Sequence, residues 1–261
     1  MDTMNLSAGI PRAALVTGAG KRIGRAIALG LAERGLAVAV HYNSSAGAAE
    51  AVVAEIRGRG GKAVALGADL ADEAAVERLI PAATDVLGPL GVLINNASTF
   101  EYDSAASATR AGWDRHMEAN LRAPFVLIQQ FAKQLPEAAE GAVVNLLDQR
   151  VWNLTPHFVT YTVSKAALWT LTQTLALALA PRIRVNGIGP GPTLPSTHQT
   201  EAQFAQQCAD MPLGRGTSPE EIVAAVWFLL QAKAMTGQMV ALDGGQHLGW
   251  AQPKQSFSVV D

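Results

Sequence analysis

Tyr161 and Lys165 stand four positions apart in Tyr161-Thr162-Val163-Ser164-Lys165, and Asp148 precedes them at the end of the apolar run Val143-Val144-Asn145-Leu146-Leu147. On a helix, residues at that spacing share a face. An ammonium beside a phenol stabilises the phenolate and lowers the tyrosine pKa toward working pH, which suits proton donation. Far upstream, Thr17-Gly18-Ala19-Gly20-Lys21-Arg22-Ile23-Gly24 follows a run ending at Val16 and leads into a helical pattern at Ile23-Gly24. Glycine lets backbone approach an anion with no side chain between them. A helix N-terminus adds free N–H groups and the positive end of its dipole, so this stretch could cradle a pyrophosphate. Asp148 brings a carboxyl group to the carboxyl end of a buried strand, where active-site groups gather; the alternative is a loop-start or N-cap aspartate.

Such groups must be carried by strand ends and helix starts that meet along one edge. The sequence supplies that alternation: Ala13–Thr17 then Ile23–Arg34, Ala37–His41 then Gly47–Arg57, Ala63–Gly67 then Asp72–Leu87, and Val92–Asn95 then a long helix near Trp113–Leu135. The second half continues with Ala142–Leu147, a helix over Tyr161–Ala180, Arg184–Gly187, helices near Glu201–Ala209 and Pro219–Gln231, and a last strand Gln238–Leu242. This pattern predicts an α/β chain: a single-domain, doubly wound parallel sheet, the Rossmann fold, with helices on both faces. The expected boundaries are a flexible N-terminal extension over 1–11, the Rossmann domain over 12–249, and a C-terminal tail over 250–261.

Composition narrows the function classes. With 261 residues, 49% hydrophobic and 16% charged, the chain can bury one large core. A net charge of −2 offers no basic field for nucleic acid or an anionic membrane. The longest apolar stretch, Ala166–Ala180, is interrupted by threonines and falls short of the roughly 20 residues of a membrane span. Cys208 is the single cysteine, and no Cys/His cluster has metal-ligand spacing, so no metal and a reducing, cytoplasmic setting are expected.

Together the glycine loop, Asn95-Asn96-Ala97 and the Tyr161/Lys165 pair resemble the short-chain dehydrogenase/reductase family, with its TGxxxGxG loop, NNA segment and YxxxK pair. The resemblance extends over about residues 12–249. It implies a cofactor site built from Gly18, Lys21, Arg22, Ile23, Gly24, Asp69, Leu70, Asn96, Ala97, Ser98, Tyr161, Lys165, Pro190, Gly191 and Thr193. Asn120 matches the family's helix asparagine, which supports a water chain to the lysine, and Lys165 is expected to hold the nicotinamide ribose. Three positions depart from the common pattern. Arg22 stands where the family's middle glycine falls, Asp148 where it carries serine, and Phe100 closes an Asn95-Asn96-Ala97-Ser98-Thr99-Phe100 segment. All three are similar to the pteridine-reductase branch, in which an aromatic ring at Phe100 stacks on a flat pterin, Ser98 lines the same pocket, and Arg22 sits between pyrophosphate and pterin. On residue type alone Phe100 could instead belong to the core.

Two further readings follow. The second strand ends in His41-Tyr42-Asn43-Ser44-Ser45, with no carboxylate to repel a 2′-phosphate, so Lys21, Asn43, Ser44 and His41 are expected to favour NADPH. The alternative makes Lys21 a solvated lysine and His41 a packed core residue. A carboxyl at Asp148 suits protonation of nitrogen, whereas an ionised carboxylate repels the oxyanion of carbonyl reduction. The expected activity is therefore NADPH-dependent hydride delivery to a C=N bond of a dihydropterin or dihydrofolate-type substrate, with Tyr161 and Asp148 handling the proton. The rivals are a short-chain carbonyl or 3-oxoacyl reductase and a non-catalytic NADP-sensing protein. The resemblance also implies a homotetramer packed through late helices. The segment Pro192–Met211, with Thr193, His198 and Gln199, carries no pattern that names a ligand.

Overall fold

Among the described residues, short runs rich in Ala, Val, Leu and Ile form seven strands: β1 Ala13–Val16, β2 Ala37–Tyr42, β3 Ala63–Gly67, β4 Val92–Asn95, β5 Gly141–Leu146, β6 Ile183–Pro190 and β7 Met239–Leu242. A computed structural model describes residues 6–196 and 199–249. All strand pairings are parallel, in the order β3-β2-β1-β4-β5-β6-β7. Chain direction across the sheet reverses between β1 and β4, which opens a crevice at their carboxyl ends. Register keeps the relevant ends level, with Val16 opposite Ile94, Asn95 opposite Asn145 and Leu146 opposite Ile188.

Period-two alternation divides the core into two layers. Ala14, Val16, Val38, Val40, Val92 and Ile94 face the layer that includes Ile27, Leu31, Val226 and Leu229 of α1 Arg22–Glu33 and α8 Pro219–Gln231. Their neighbours Ala13, Leu15, Ala39 and Leu93 face the layer with Leu79, Ile80, Leu127 and Phe131 of α3 Glu73–Leu87 and α5 Ala123–Gln134. Four further α-helices lie among the described residues: α2 Ala46–Gly58, α4 Arg110–Met117, α6 Val159–Ala178 and α7 Glu201–Ala209. Helix α8 starts on a capping box, Ser218 with Glu221, behind which Pro219 loses no intrahelical bond.

Three expectations need correction. The long helix near Trp113–Leu135 is broken into α4, a π-helical turn Glu118–Arg122 and α5. Pro124 has no N–H to return to the carbonyl four residues back, at Asn120, and the ladder widens there. The N-terminal extension is not loose throughout: Leu6 and Ile10 are buried in the first core layer, and Glu140 N–H donates to the Gly9 carbonyl at 2.9 Å. Burial of those two side chains outweighs the lack of regular structure around them. Third, β6 runs on to Pro190 rather than stopping at Gly187, because β7 pairs with it through Pro190–Leu242. Residues 1–5 and the tail 250–261 lie outside the described residues. Among the described residues, no helix is long and apolar enough to cross a membrane, and no His/Cys/Asp/Glu group could hold a metal ion.

Candidate active site

The glycine loop is bolted to the end of β4. Thr17 Oγ1 accepts the N–H groups of Asn96 and Ala97, both at 2.9 Å, and Asn96 Nδ2 donates to the Thr17 carbonyl at 2.8 Å. Gly18 has φ +63° and Gly24 packs so closely that a Cβ there would lie 2.3 Å from the Gly18 oxygen and 2.5 Å from Asn96 Nδ2. Gly24→Ala is therefore expected to destabilise the fold by about 1–3 kcal/mol, a drop of several degrees in a thermal melt; an unchanged melting temperature would show that the turn yields. Lys21 caps α1 without a side-chain hydrogen bond and no acid lies in the first turn, so the helix start is left open to an anion. Partly buried Ile23 packs against the first core layer behind it. A dinucleotide pyrophosphate fits this cradle.

His41 does not join the phosphate-facing groups. Its Nδ1 accepts from Gly18 N–H at 3.1 Å while Nε2 lies 3.0 Å from the Ala68 carbonyl, and the ring is 1% exposed. Both nitrogens are spent inside the fold, and burial lowers its pKa, so it is a neutral strut under the loop. Lys21, Asn43 and Ser44 are exposed. Asn43 Nδ2 approaches Asp69 Oδ1 at 3.4 Å, and the same oxygen takes Ala71 N–H at 3.0 Å, so the Asp69 carboxylate stands closer to Asn43 than their sequence separation suggests. Leu70 is buried beside it.

At the other side of the crevice, β5 and α6 bring Asp148, Tyr161 and Lys165 together. The Tyr161 hydroxyl donates to Asp148 Oδ2 at 2.9 Å. Lys165 Nζ donates to the Leu146 carbonyl at 2.7 Å and lies 5.8 Å from the Tyr161 ring centroid. The expectation that Lys165 lowers the tyrosine pKa is not met. Burial, then the Asp148 carboxylate, push the phenol well above its ordinary value, with Arg150 opposing them. Burial also lowers Lys165 to about 8, against the pull of Asp148. Asn120, on the π-helical turn, braces neighbouring segments: its Nδ2 donates to the Thr99 carbonyl and Ser164 Oγ, and its Oδ1 accepts from Thr99 N–H and Ser98 Oγ. Its side chain is thus tied to Ser98, Thr99 and Ser164, while Lys165 is tied to Leu146.

Phe100 is not core; it is 44% exposed and forms an aromatic wall with Phe158, whose ring stacks on it at 4.5 Å and 9°. Tyr161 meets the Phe100 ring edge-to-face at 4.7 Å. Sequence reasoning missed Phe158 and Arg150. Phe158 adopts φ +57°, which no residue pattern announces, whereas Arg150, two positions after Asp148, was open to suspicion.

Arg22 also has positive φ, +53°, at the position where a glycine would be unstrained. Its guanidinium reaches the Pro195 carbonyl at 2.9 Å and that of Leu194 at 3.3 Å, tying the glycine loop to the segment beyond β6. In this arrangement those donors serve the loop rather than standing free for a substrate. Thr193 Oγ donates to the Gly191 carbonyl at 3.0 Å, and a Cβ at Gly191 would lie 2.7 Å from Asp243 Cα. Pro190 ends β6 on the same edge. His198 lies outside the described residues.

Comparisons with known proteins agree with the fold. A family model described as Enoyl-(Acyl carrier protein) reductase matches residues 18–247. The structure of FolM alternative dihydrofolate reductase 1 from Brucella canis, complexed with NADP, is 46% identical with a TM-score of 0.90, covering 95% of this chain and 98% of that one. The Brucella suis counterpart, also with NADP, is 47% identical at a TM-score of 0.90, over 94% and 98% of the two chains. The 3-oxoacyl-[acyl-carrier-protein] reductase FabG of Staphylococcus aureus is 35% identical over 244 residues, 91% of this chain and 98% of the relative.

Proposed function

The chain belongs to the short-chain dehydrogenase/reductase family of oxidoreductases, and on that premise we propose that it is an NADPH-dependent reductase of a C=N bond in a dihydropterin or dihydrofolate-type substrate. The observation that carries this reading is the carboxyl of Asp148, in the family's serine position, 2.9 Å from the Tyr161 hydroxyl. NADP in the Brucella structures supports the cofactor, and their dihydrofolate reductase names support the substrate class.

NADPH, when bound, supplies the hydride that the C=N carbon receives. The substrate nitrogen must then gain a proton, and Tyr161 with Asp148 holds it. Because the phenol keeps its proton far above neutral pH, Tyr161 works as an O–H donor. Asp148 accepts that hydrogen bond in the resting site; once Tyr161 has given its proton to the nitrogen, the carboxylate takes up a proton from solvent and passes it to the phenolate, restoring the O–H donor. Lys165, still mostly ammonium at neutral pH, offers its charge to the ribose side of the site. Phe100 offers an exposed aromatic surface to a flat heterocycle, worth about 0.5–1.5 kcal/mol beyond area burial. A homotetramer closed through late helices belongs to the same reading, with Leu177 of α6 84% exposed on such a face.

FabG-like relatives keep 3-oxoacyl reduction as the second reading. Purified protein is expected to oxidise NADPH with a dihydropterin or dihydrofolate at least tenfold faster, per substrate concentration, than with ketones or 3-oxoacyl thioesters. Turnover with acyl thioesters or ketones alone would reverse the assignment, and tight NADPH binding without any turnover would favour a sensing protein.

A further inference from the structure

Arg150 lies on the short 3₁₀ turn Gln149–Val151 directly after Asp148, and its side chain is 18% exposed. Its Nη1 reaches Asp148 Oδ2 at 3.3 Å, the same oxygen that accepts the Tyr161 hydroxyl. Its Cζ stands 5.0 Å from the Phe158 ring centroid and 5.5 Å from that of Phe100. The Nε atom is buried with no hydrogen-bond partner among the described residues. Hydrogen bonding alone therefore does not account for the placement, since an unpaired buried donor opposes it.

The carboxyl group of Asp148 is held from both sides. Oδ1 takes the Arg150 backbone N–H at 2.8 Å, and Oδ2 is shared between Tyr161 and the Arg150 guanidinium. We propose that Arg150 is a positioning residue of the proton-handling pair: seated on the Phe100–Phe158 stack, its guanidinium fixes Asp148 with Oδ2 turned to the Tyr161 hydroxyl. This rests on the reading of Asp148 and Tyr161 given above. A guanidinium is planar, so it lies on aromatic faces and still donates in its own plane to a carboxylate; an ammonium supplies the charge without the plane. The same arrangement gives a reason for the left-handed backbone of Phe158, φ +57° and ψ +47°. Such a conformation persists in a bulky residue only where its surroundings hold it, and here it places the ring on Phe100 and under Arg150. Other charged or titratable groups around the pair are Lys165 of α6 and His116 of α4, whose ring centroid is 6.0 Å from that of Tyr161.

Arg150→Met keeps length and removes charge; Arg150→Lys keeps charge and removes the plane. With the substrate that the wild type accepts, kcat is expected to fall about 30-fold in the Met variant and roughly fivefold in the Lys variant, a fraction of a general acid's full contribution. NADPH affinity, from fluorescence titration, is expected to stay within about twofold in both, and the solvent deuterium isotope effect on kcat to rise as proton delivery becomes limiting. Crystals of the Met variant should show Asp148 turned away from Tyr161. Wild-type kcat and isotope effect in both variants would overturn the proposal, as would an unchanged Asp148–Tyr161 contact in those crystals. If Arg150→Met does not fold, Arg150→Lys carries the kinetic and crystallographic readouts. Failure of the wild type to reduce any dihydropterin would instead strike the proposed function, because the crystallographic readout needs no substrate.

Discussion

Tyr161→Phe is expected to lower kcat by about 10³-fold with NADPH affinity nearly unchanged, since a positioned general acid contributes roughly 10²–10⁴. The substitution removes one oxygen and leaves the ring, so the edge-to-face contact with Phe100 survives. What disappears is the hydroxyl 2.9 Å from Asp148 Oδ2. Burial and the neighbouring carboxylate push that hydroxyl well above its ordinary pKa, so it carries its proton at neutral pH. In the proposed mechanism its role is donation of a proton already in place, not action as a standing phenolate. Asp148 alone could carry a residual rate, because its Oδ1 stays anchored on Arg150 N–H. Single-turnover measurements of NADPH oxidation would separate the chemical step from product release. A rate within tenfold of wild type would remove Tyr161 as the principal donor and pass that role to Asp148.

Much of this site was readable from residue types because its parts are local. Tyr161 and Lys165 sit four apart on one helix, and the glycine loop runs from one strand to the next helix, so their spacing alone sets their geometry. Alternation of apolar runs with helical patterns gave the parallel sheet, since strands buried on both faces need no polar alternation. What escaped is tertiary or conformational. His41 was open to two readings, and only the approach of Gly18 N–H and the Ala68 carbonyl selects the buried strut. The lysine effect on Tyr161 failed because the Leu146 carbonyl captures Nζ while the Asp148 carboxylate, from another element, faces the phenol. Phe158 reaches Phe100 only through a left-handed backbone that its residue type disfavours. The break in the α4–α5 helix depends on where Pro124 falls relative to Asn120, whose side chain is engaged elsewhere. Leu6 and Ile10 lack periodicity, and they are placed by the core that covers them.

With the proposed dihydropterin substrate, Asp148→Ser is expected to lower turnover about 10²-fold, again within the range of a lost acid–base group, while NADPH affinity stays nearly unchanged. A hydroxyl can still accept from Tyr161 and donate in turn, but unlike a carboxylate it cannot take up and hold an added proton at an accessible pH. The exchange also alters charge. Asp148 raises the pKa of both Tyr161 and Lys165, so its removal lets both fall, and Lys165 drops below the present value of about 8. Activity that depends on the ammonium is lost as pH rises through that pKa, so the alkaline limb of the rate profile should move to lower pH in the variant. Stability moves in the related sense. A lysine whose folded pKa lies below its unfolded value of 10.5 costs stability while charged, and that cost is relieved as pH rises from about 8. Without Asp148 the cost at neutral pH grows, and Arg150 also loses its ion-pair partner, so the variant should melt at lower temperature. Serine restores the hydroxyl of the ordinary family pattern, and with it a neutral partner for a developing oxyanion. The ratio of ketone to pterin turnover should therefore rise. A loss confined to cofactor binding, with an unmoved alkaline limb and unchanged substrate ratio, would take Asp148 out of the chemistry and leave it as the cap of the turn that carries Arg150.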